Sequence, residues 1–132
     1  MPTLVAAALL LLAACGKSDR EERDAVISGI ERVRAVPSGD HDARRARARE
    51  LAKIEVKGKR PRAARDACAK AFETSANMIQ LLEDLEAEAS KPLVRDKELV
   101  AADFRTLKTL QAQAADEMDA CADATGNLVG PD

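Results

Sequence analysis

The sequence contains few of the residues from which binding and catalytic sites are usually built. It has no tryptophan, no tyrosine and only two phenylalanines, so it offers no aromatic platform on which nucleic-acid bases could stack. Its single histidine, His41, has no serine or threonine at a spacing that suits nucleophilic catalysis. A glycine-rich phosphate loop and a Cys-x-x-Cys pair are both missing. These absences favour a protein that is not an enzyme and does not bind nucleic acid.

His41 stands between two aspartates, Asp40 and Asp42. A stable metal site needs three or four converging ligands, and this short segment alone does not supply them. Aspartates directly before a helix also cap its N-terminus, which explains them without a ligand. We therefore expect no metal site and no cofactor here.

Strand patterns are scarce as well, and the abundant residues favour helices. Alanine, leucine, arginine and glutamate have a low cost in helices, whereas aromatic and β-branched stretches are few. A capping box at Ser18 to Glu21 begins the first predicted helix, which ends near the 36–39 turn. Three more helices are expected over about 42–57, from Pro61 to a break at 90–92, and over about 96–125.

Apolar residues recur along these helices at spacings of three and four, with short faces on the first two and long faces on the last two. In the second helix, Val56 is expected to lie off the apolar face, on the side that carries Arg49. This periodicity predicts an all-α fold, a small antiparallel bundle of about four helices with a long C-terminal hairpin. The predicted core positions are Val26, Ile30, Val33, Ala48, Leu51, Ile54, Ala64, Cys68, Phe72, Ser75, Ile79, Leu82, Leu85, Val100, Phe104, Leu107, Ala114, Met118, Cys121 and Thr125.

The longest apolar run stands at the amino terminus, from Leu4 to Ala14. At 1.5 Å per residue, its eleven residues are too short to cross the ~30 Å core of a bilayer. A run of this length fits the apolar region of a signal peptide or a short buried helix.

The end of the run, Leu12-Ala13-Ala14-Cys15, resembles the lipobox of bacterial lipoproteins. The resemblance covers about the first sixteen residues. It implies cleavage before Cys15, a diacylglycerol on the thiol and an acyl chain on the new amino group. It also implies lipid anchoring in the bacterial cell envelope, and Gly16 implies the outer membrane, facing the periplasm. The chain then divides into a signal peptide (1–14), the lipidated cysteine with a short tether (15–18), a helical bundle (19–125) and a flexible tail (126–132).

The other two cysteines, Cys68 and Cys121, fall on the apolar faces of the third and fourth predicted helices. An exported protein meets an oxidising compartment, in which facing cysteines form a disulfide. This disulfide requires a wide turn, with the fourth helix starting near Asp96. A tight turn at Lys91 would instead place Cys68 nearer Ala114. Two separate buried thiols are the alternative.

Charge is distributed unevenly along the chain. Residues 43–70 contain eleven lysines and arginines against three acidic residues, whereas residues 71–132 contain five against thirteen. One explanation is internal compensation, with Arg65 near Asp123 and Lys70 near Asp119. The other is an anionic ligand bound by the basic 44–65 stretch. Its candidate residues, the first four of them spaced by four along one helix face, are Arg45, Arg49, Lys53, Lys57, Arg60 and Arg62.

Together, these features predict a membrane-anchored envelope lipoprotein that acts as a non-enzymatic interaction or structural module. Its expected partners are the membrane, through the lipid on Cys15, and an envelope protein. The alternative is a module that binds anionic envelope components, either lipid phosphates or lipopolysaccharide, through the 44–65 stretch. No cofactor is expected besides the covalent lipid, and the oligomeric state stays open.

Overall fold

A computed structural model describes residues 18–91 and 96–130 of the chain. The described residues form four helices and no strand, which confirms the all-α prediction. Cys15 and the predicted signal peptide lie outside the described residues. No helix in the described part is long and apolar enough to cross a membrane. The helices are α1 (Asp19–Arg34), α2 (His41–Ala52), α3 (Lys59–Ala89) and α4 (Lys97–Val129).

Helix α3 packs against each of the other three helices, and α1 and α2 also pack against each other. The start of α2 meets α3 at Glu83, and its later residue Arg49 meets α3 at Glu73, so the two helices are antiparallel. The first turn of α1 contacts the chain just before α3, so α1 starts at the same end as α3. Helices α1 and α2 therefore cover α3 from its start to about Glu83.

Helix α4 lies against α3 along a narrow stripe. Its buried residues recur every seven positions, at Leu107, Ala114, Cys121 and Leu128, which is the spacing of a coiled coil. A disulfide within this stripe joins Cys121 to Cys68 of α3, with 4.5 Å between the two Cα atoms. The pairing and the antiparallel hairpin are as predicted.

Helix α4 starts where the disulfide requires it to start. Helix α4 begins at Lys97, directly after Asp96, whose side chain accepts a hydrogen bond of 2.9 Å from the backbone N–H of Glu98. A capping side chain at this position satisfies one of the N–H groups that the first turn of a helix leaves unpaired. The start of the fourth helix near Asp96 is therefore confirmed.

The core lies where α1, α2, the first half of α3 and the last part of α4 meet. Val26 and Val33 of α1 and Leu51 of α2 are among its largest fully buried side chains. Gly29 permits the close approach of α1 and α2, because a Cβ at Gly29 would lie only 2.8 Å from Cδ1 of Ile54 and 2.9 Å from Cδ1 of Leu51. The absence of a side chain at Gly29 thus allows α1 and α2 to lie in contact.

Two helix ends differ from those predicted. Helix α2 ends at Ala52, well before Lys57, and the chain then runs without helical hydrogen bonds into α3. The helical phase is lost, so Val56 does not stay beside Arg49 and is buried in the core instead. The prediction for Val56 is therefore wrong.

Helix α4 continues past Gly126 to Val129, so residues 126–129 of the predicted flexible tail are helical. The reason is the seven-residue stripe, which reaches Leu128 and buries it in the core. That burial outweighs the cost of a glycine in a helix, which is about 1 kcal/mol. Residues 131–132 lie outside the described residues.

We expect the Cys68–Cys121 disulfide to carry much of the stability of the domain. It joins two residues with a sequence separation of 53. For a loop of this size, loop-closure entropy gives a stabilisation of about 4 kcal/mol. Urea unfolding should therefore show a loss of this size when both cysteines are replaced by alanine. Wild-type protein should lose as much on reduction, and the double variant should not respond to the reductant. A free Cys68 thiol in non-reduced peptides of the exported protein would contradict the pairing.

Candidate interaction surfaces

A buried carboxylate fastens α1 to the start of α3. Glu22 is only 3% exposed. Its Oε1 accepts a hydrogen bond from the backbone N–H of Lys57, and its Oε2 accepts one from that of Gly58, both at 2.8 Å. Gly58 is the N-cap of α3 and has no side chain with which to cap it. Glu22 therefore supplies, from another helix, the negative charge that a helix N-terminus favours.

No motif in the sequence predicts this role for Glu22. The one available signal is its phase, because Glu22 precedes Val26, Ile30 and Val33 at helical spacing and so stands on the apolar face of α1. A charged residue in such a position needs a buried partner. The sequence does not show that the partner is backbone thirty-five residues away.

The structure separates the six basic candidates into two groups. Arg45 donates to Oδ1 of Asp42 at 2.7 Å and to Oδ1 of Asn77 at 3.2 Å. Arg49 lies 3.4 Å from Oε1 of Glu73. Both arginines thus have an acidic partner within the domain, Arg45 in α2 itself and Arg49 in α3.

The other four candidates follow α2 or begin α3. Lys53 is the C-cap of α2, so the predicted stack of four residues on one helix face does not extend to Lys57. Arg60 and Arg62 belong to the first turn of α3, and Nη2 of Arg62 donates to the backbone oxygen of Lys57 at 3.3 Å. Lys57, Arg60 and Arg62 therefore lie close to one another at the start of α3.

The two specific ion pairs that were expected are wrong. Arg65 donates to the backbone oxygen of Ile54 at 2.9 Å and to Asp66 at 2.8 Å, with no contact to Asp123. Lys70 lies 3.8 Å from Glu117 and not beside Asp119. The seven-residue stripe of α4 explains both results, because it leaves positions 119 and 123 exposed on the outer side of the helix.

His41 is the first residue of α2, and its Nε2 lies 2.6 Å from Oε2 of Glu83. Asp40 caps the same helix, since its Oδ1 accepts from the backbone N–H of Ala43 at 3.1 Å. The capping explanation of Asp40 is therefore confirmed. Within residues 18–91 and 96–130, no group of three or more potential ligands is placed to hold a metal.

Basic side chains gather at the end of the molecule where α1 and α3 begin and α4 finishes. A groove of about 600 Å³ lies there between the three helices. We call this end the basic pole and define it by Arg20, Arg23, Lys57, Lys59, Arg60 and Arg62. The groove is lined by Asp19, Arg20, Arg23, Gly58, Lys59, Arg60, Pro61 and Leu128.

The opposite end, where α3 finishes and α4 begins, exposes large apolar side chains. We call it the hairpin end and define it as residues 82–91 and 96–105. Leu99 and Phe104 are each 54% exposed and Leu82 is 36% exposed, so placing Phe104 and Leu82 in the core is wrong. The seven-residue stripe buries Leu107, whereas Phe104 lies beside this stripe and stays exposed. Helices α1 and α2 do not reach far enough along α3 to cover Phe104.

Comparison of the chain with protein-family models, with curated proteins and with solved structures gave no match. The two surfaces are therefore interpreted from their own chemistry.

We expect Glu22 to be the most sensitive polar residue of the domain. Glu22→Ala leaves the N–H groups of Lys57 and Gly58 without this acceptor, and hydrogen bonds to a charged group are worth about 1.5–3 kcal/mol each. The free energy of unfolding should fall by about 3 kcal/mol in Glu22→Ala and by about half as much in Glu22→Gln, which keeps one acceptor oxygen. The neighbouring exposed Glu21→Ala should change it by about 0.5 kcal/mol or less. Equal urea midpoints for the Glu22→Ala and Glu21→Ala variants would contradict this role.

Proposed function

We propose that this protein is a lipid-anchored component of the bacterial envelope, in the outer membrane and facing the periplasm. It acts without catalysis, by presenting the hairpin end to a partner protein. The observation that carries the proposal is the exposure of Leu82, Leu99 and Phe104 on the part of the hairpin that α1 and α2 leave uncovered. Large apolar side chains left exposed at one end of a domain favour interaction with a partner protein.

The position of the hairpin end relative to the anchor supports this proposal. Ser18 precedes α1 by one residue and follows the predicted lipidated Cys15 by three. The first turn of α1 lies beside the start of α3, and the 31 residues of α3 extend about 45 Å from there. Ser18, to which the proposed anchor would be joined, and the hairpin end are therefore at opposite ends of the domain, which would let a partner reach the latter away from the bilayer.

The charge around the exposed side chains indicates what kind of partner fits. The hairpin end contains seven acidic residues against three basic ones. A complementary surface would bring an apolar helix face with basic residues at its edges, as in helix-in-groove recognition. We propose a helical partner of this type.

The partner site is tested by removing its apolar side chains. In envelopes treated with a cross-linker, the wild-type chain should yield a cross-linked heteromeric product, and Leu99→Ser with Phe104→Ser should lose most of it. Val129→Ser is the matched control, because Val129 is 59% exposed and lies at the other end of α4. Since all three residues are exposed, each variant should fold with near wild-type stability. The same yield from the double variant and the control would reject the site.

The anchor is tested separately by labelling cells with a palmitate analogue. The label should enter the wild-type chain and should be absent from Cys15→Ser, because lipid is added only to the Cys15 thiol and to the α-amino group that cleavage frees on the same residue. A Cys68→Ser and Cys121→Ser variant should label normally, which controls for loss of any cysteine. Unchanged labelling of Cys15→Ser, or an unlabelled wild-type chain, would reject the anchor.

A further inference from the structure

We infer that the basic pole is a binding surface for the phosphate groups of anionic phospholipids in the membrane that carries the protein. This inference rests on the proposed anchoring. It assigns the anionic ligand to a set of residues that differs from the 44–65 stretch. Three residues leave the set, Arg45, Arg49 and Lys53, and three enter it, Arg20, Arg23 and Lys59.

The pole has an excess of positive charge that the described residues do not neutralise. The segments that form it, 18–23 and 57–62, contain six basic residues and three acidic ones. One of the acidic residues, Glu22, is buried and already accepts two backbone hydrogen bonds. Asp19 and Glu21 are left at the surface, Arg23 lies 3.8 Å from Asp24, and Arg60 is already engaged in an interaction.

Three of these cations are free to meet a ligand. The side chains of Arg20, Lys57 and Lys59 are exposed, and none is paired with an acidic side chain in the described residues. Arg45 and Arg49 differ, because Arg45 is paired with Asp42 of its own helix and Arg49 is paired with Glu73 of α3. A solvated lysine or arginine near an anionic leaflet raises membrane partitioning about fivefold.

The place of these cations in the molecule identifies the ligand as membrane phosphate. The chain that leads to α1 enters at this pole, and its Leu4 to Ala14 run and Cys15 are the features that predict membrane attachment. The opposite end of the domain is acidic, with seven acidic residues against three basic ones. An anionic bilayer would attract the pole and repel the hairpin end, so the charge distribution orients the domain. The surface thus fits the lipids beside the anchor, and it keeps the hairpin end directed away from them.

The test measures partitioning of the whole chain into vesicles of phosphatidylcholine, with and without phosphatidylglycerol. The chain carries Cys15→Ser so that no lipid anchor contributes, and the apolar amino-terminal run is common to every variant. The readout is the ratio of the two partition coefficients. The pole variant combines Arg20→Gln, Lys57→Gln and Lys59→Gln.

A matched control removes the same charge elsewhere. It combines Lys97→Gln, Arg105→Gln and Lys108→Gln, three exposed residues on the part of α4 near the hairpin end. Both variants lose three positive charges, so they have equal net charge and differ only in the position of the loss. Circular dichroism and urea midpoints establish that both are folded.

We expect the pole variant to lose on the order of 100-fold in this ratio. The control should change it by no more than about threefold, and added salt should weaken the wild-type preference. Equal losses in the two variants would mean that only net charge matters and would overturn the inference. An unchanged ratio in the pole variant would overturn it too. Displacement by inorganic phosphate but not by chloride at equal ionic strength would show a site for single phosphate ions, which also overturns a membrane-facing surface.

This assay is independent of the proposed function. It needs neither lipid on Cys15 nor a protein partner, so its failure leaves the palmitate and cross-linking results as they are. Conversely, a chain that is never labelled by palmitate can still show the phosphatidylglycerol preference.

Discussion

The structure depends on the way the surface of α3 is shared among its neighbours. The alanines Ala64, Ala71 and Ala76 are fully buried in it, and such small side chains let helices on more than one side approach closely. In the described part of the chain, α3 packs against all three others. Helices α1 and α2 stop near Glu83, whereas α4 packs beside α3 to its end. The described domain therefore has four helices at one end and two at the other.

Two links hold the neighbours of α3 in register. The carboxylate of Glu22 fixes α1 to the residues just before α3, and the disulfide fixes Cys121 of α4 to Cys68, less than three turns further along. The domain has few large apolar side chains and only two aromatic ones, so area burial alone leaves a small margin. A charged hydrogen-bond pair and a covalent bond supply what a larger core would otherwise provide.

The sequence predicts the features that arise within one helix or between two long ones. Capping at Ser18, the break after Ser90 and the pairing of Cys68 with Cys121 all follow from local chemistry or helical phase. The errors occur where tertiary contact overrides local preference. Val56 is buried because α2 ends at Ala52, before the predicted end of the helix. Residues 126–129 stay helical because Leu128 is buried in the core. The burial of Val56 is not encoded in the spacing of nearby residues, whereas Leu128 continues the seven-residue spacing of α4 past Gly126.

In the basic stretch, one buried carboxylate determines which cations are available to an external anion. Read as a continuous helix, it would place Arg45, Arg49 and Lys57 on one face, with no reason to separate them. Glu22 accepts the N–H groups of Lys57 and Gly58, and these bonds bring the chain after α2 to the first turn of α1. Arg49 of α2 then meets Glu73 of α3 and Arg45 meets Asn77, whereas Lys57 joins the cations that begin α3. The charge available to an external anion is thus set by the route of the backbone, and that route is fixed by a carboxylate that is itself hidden from solvent.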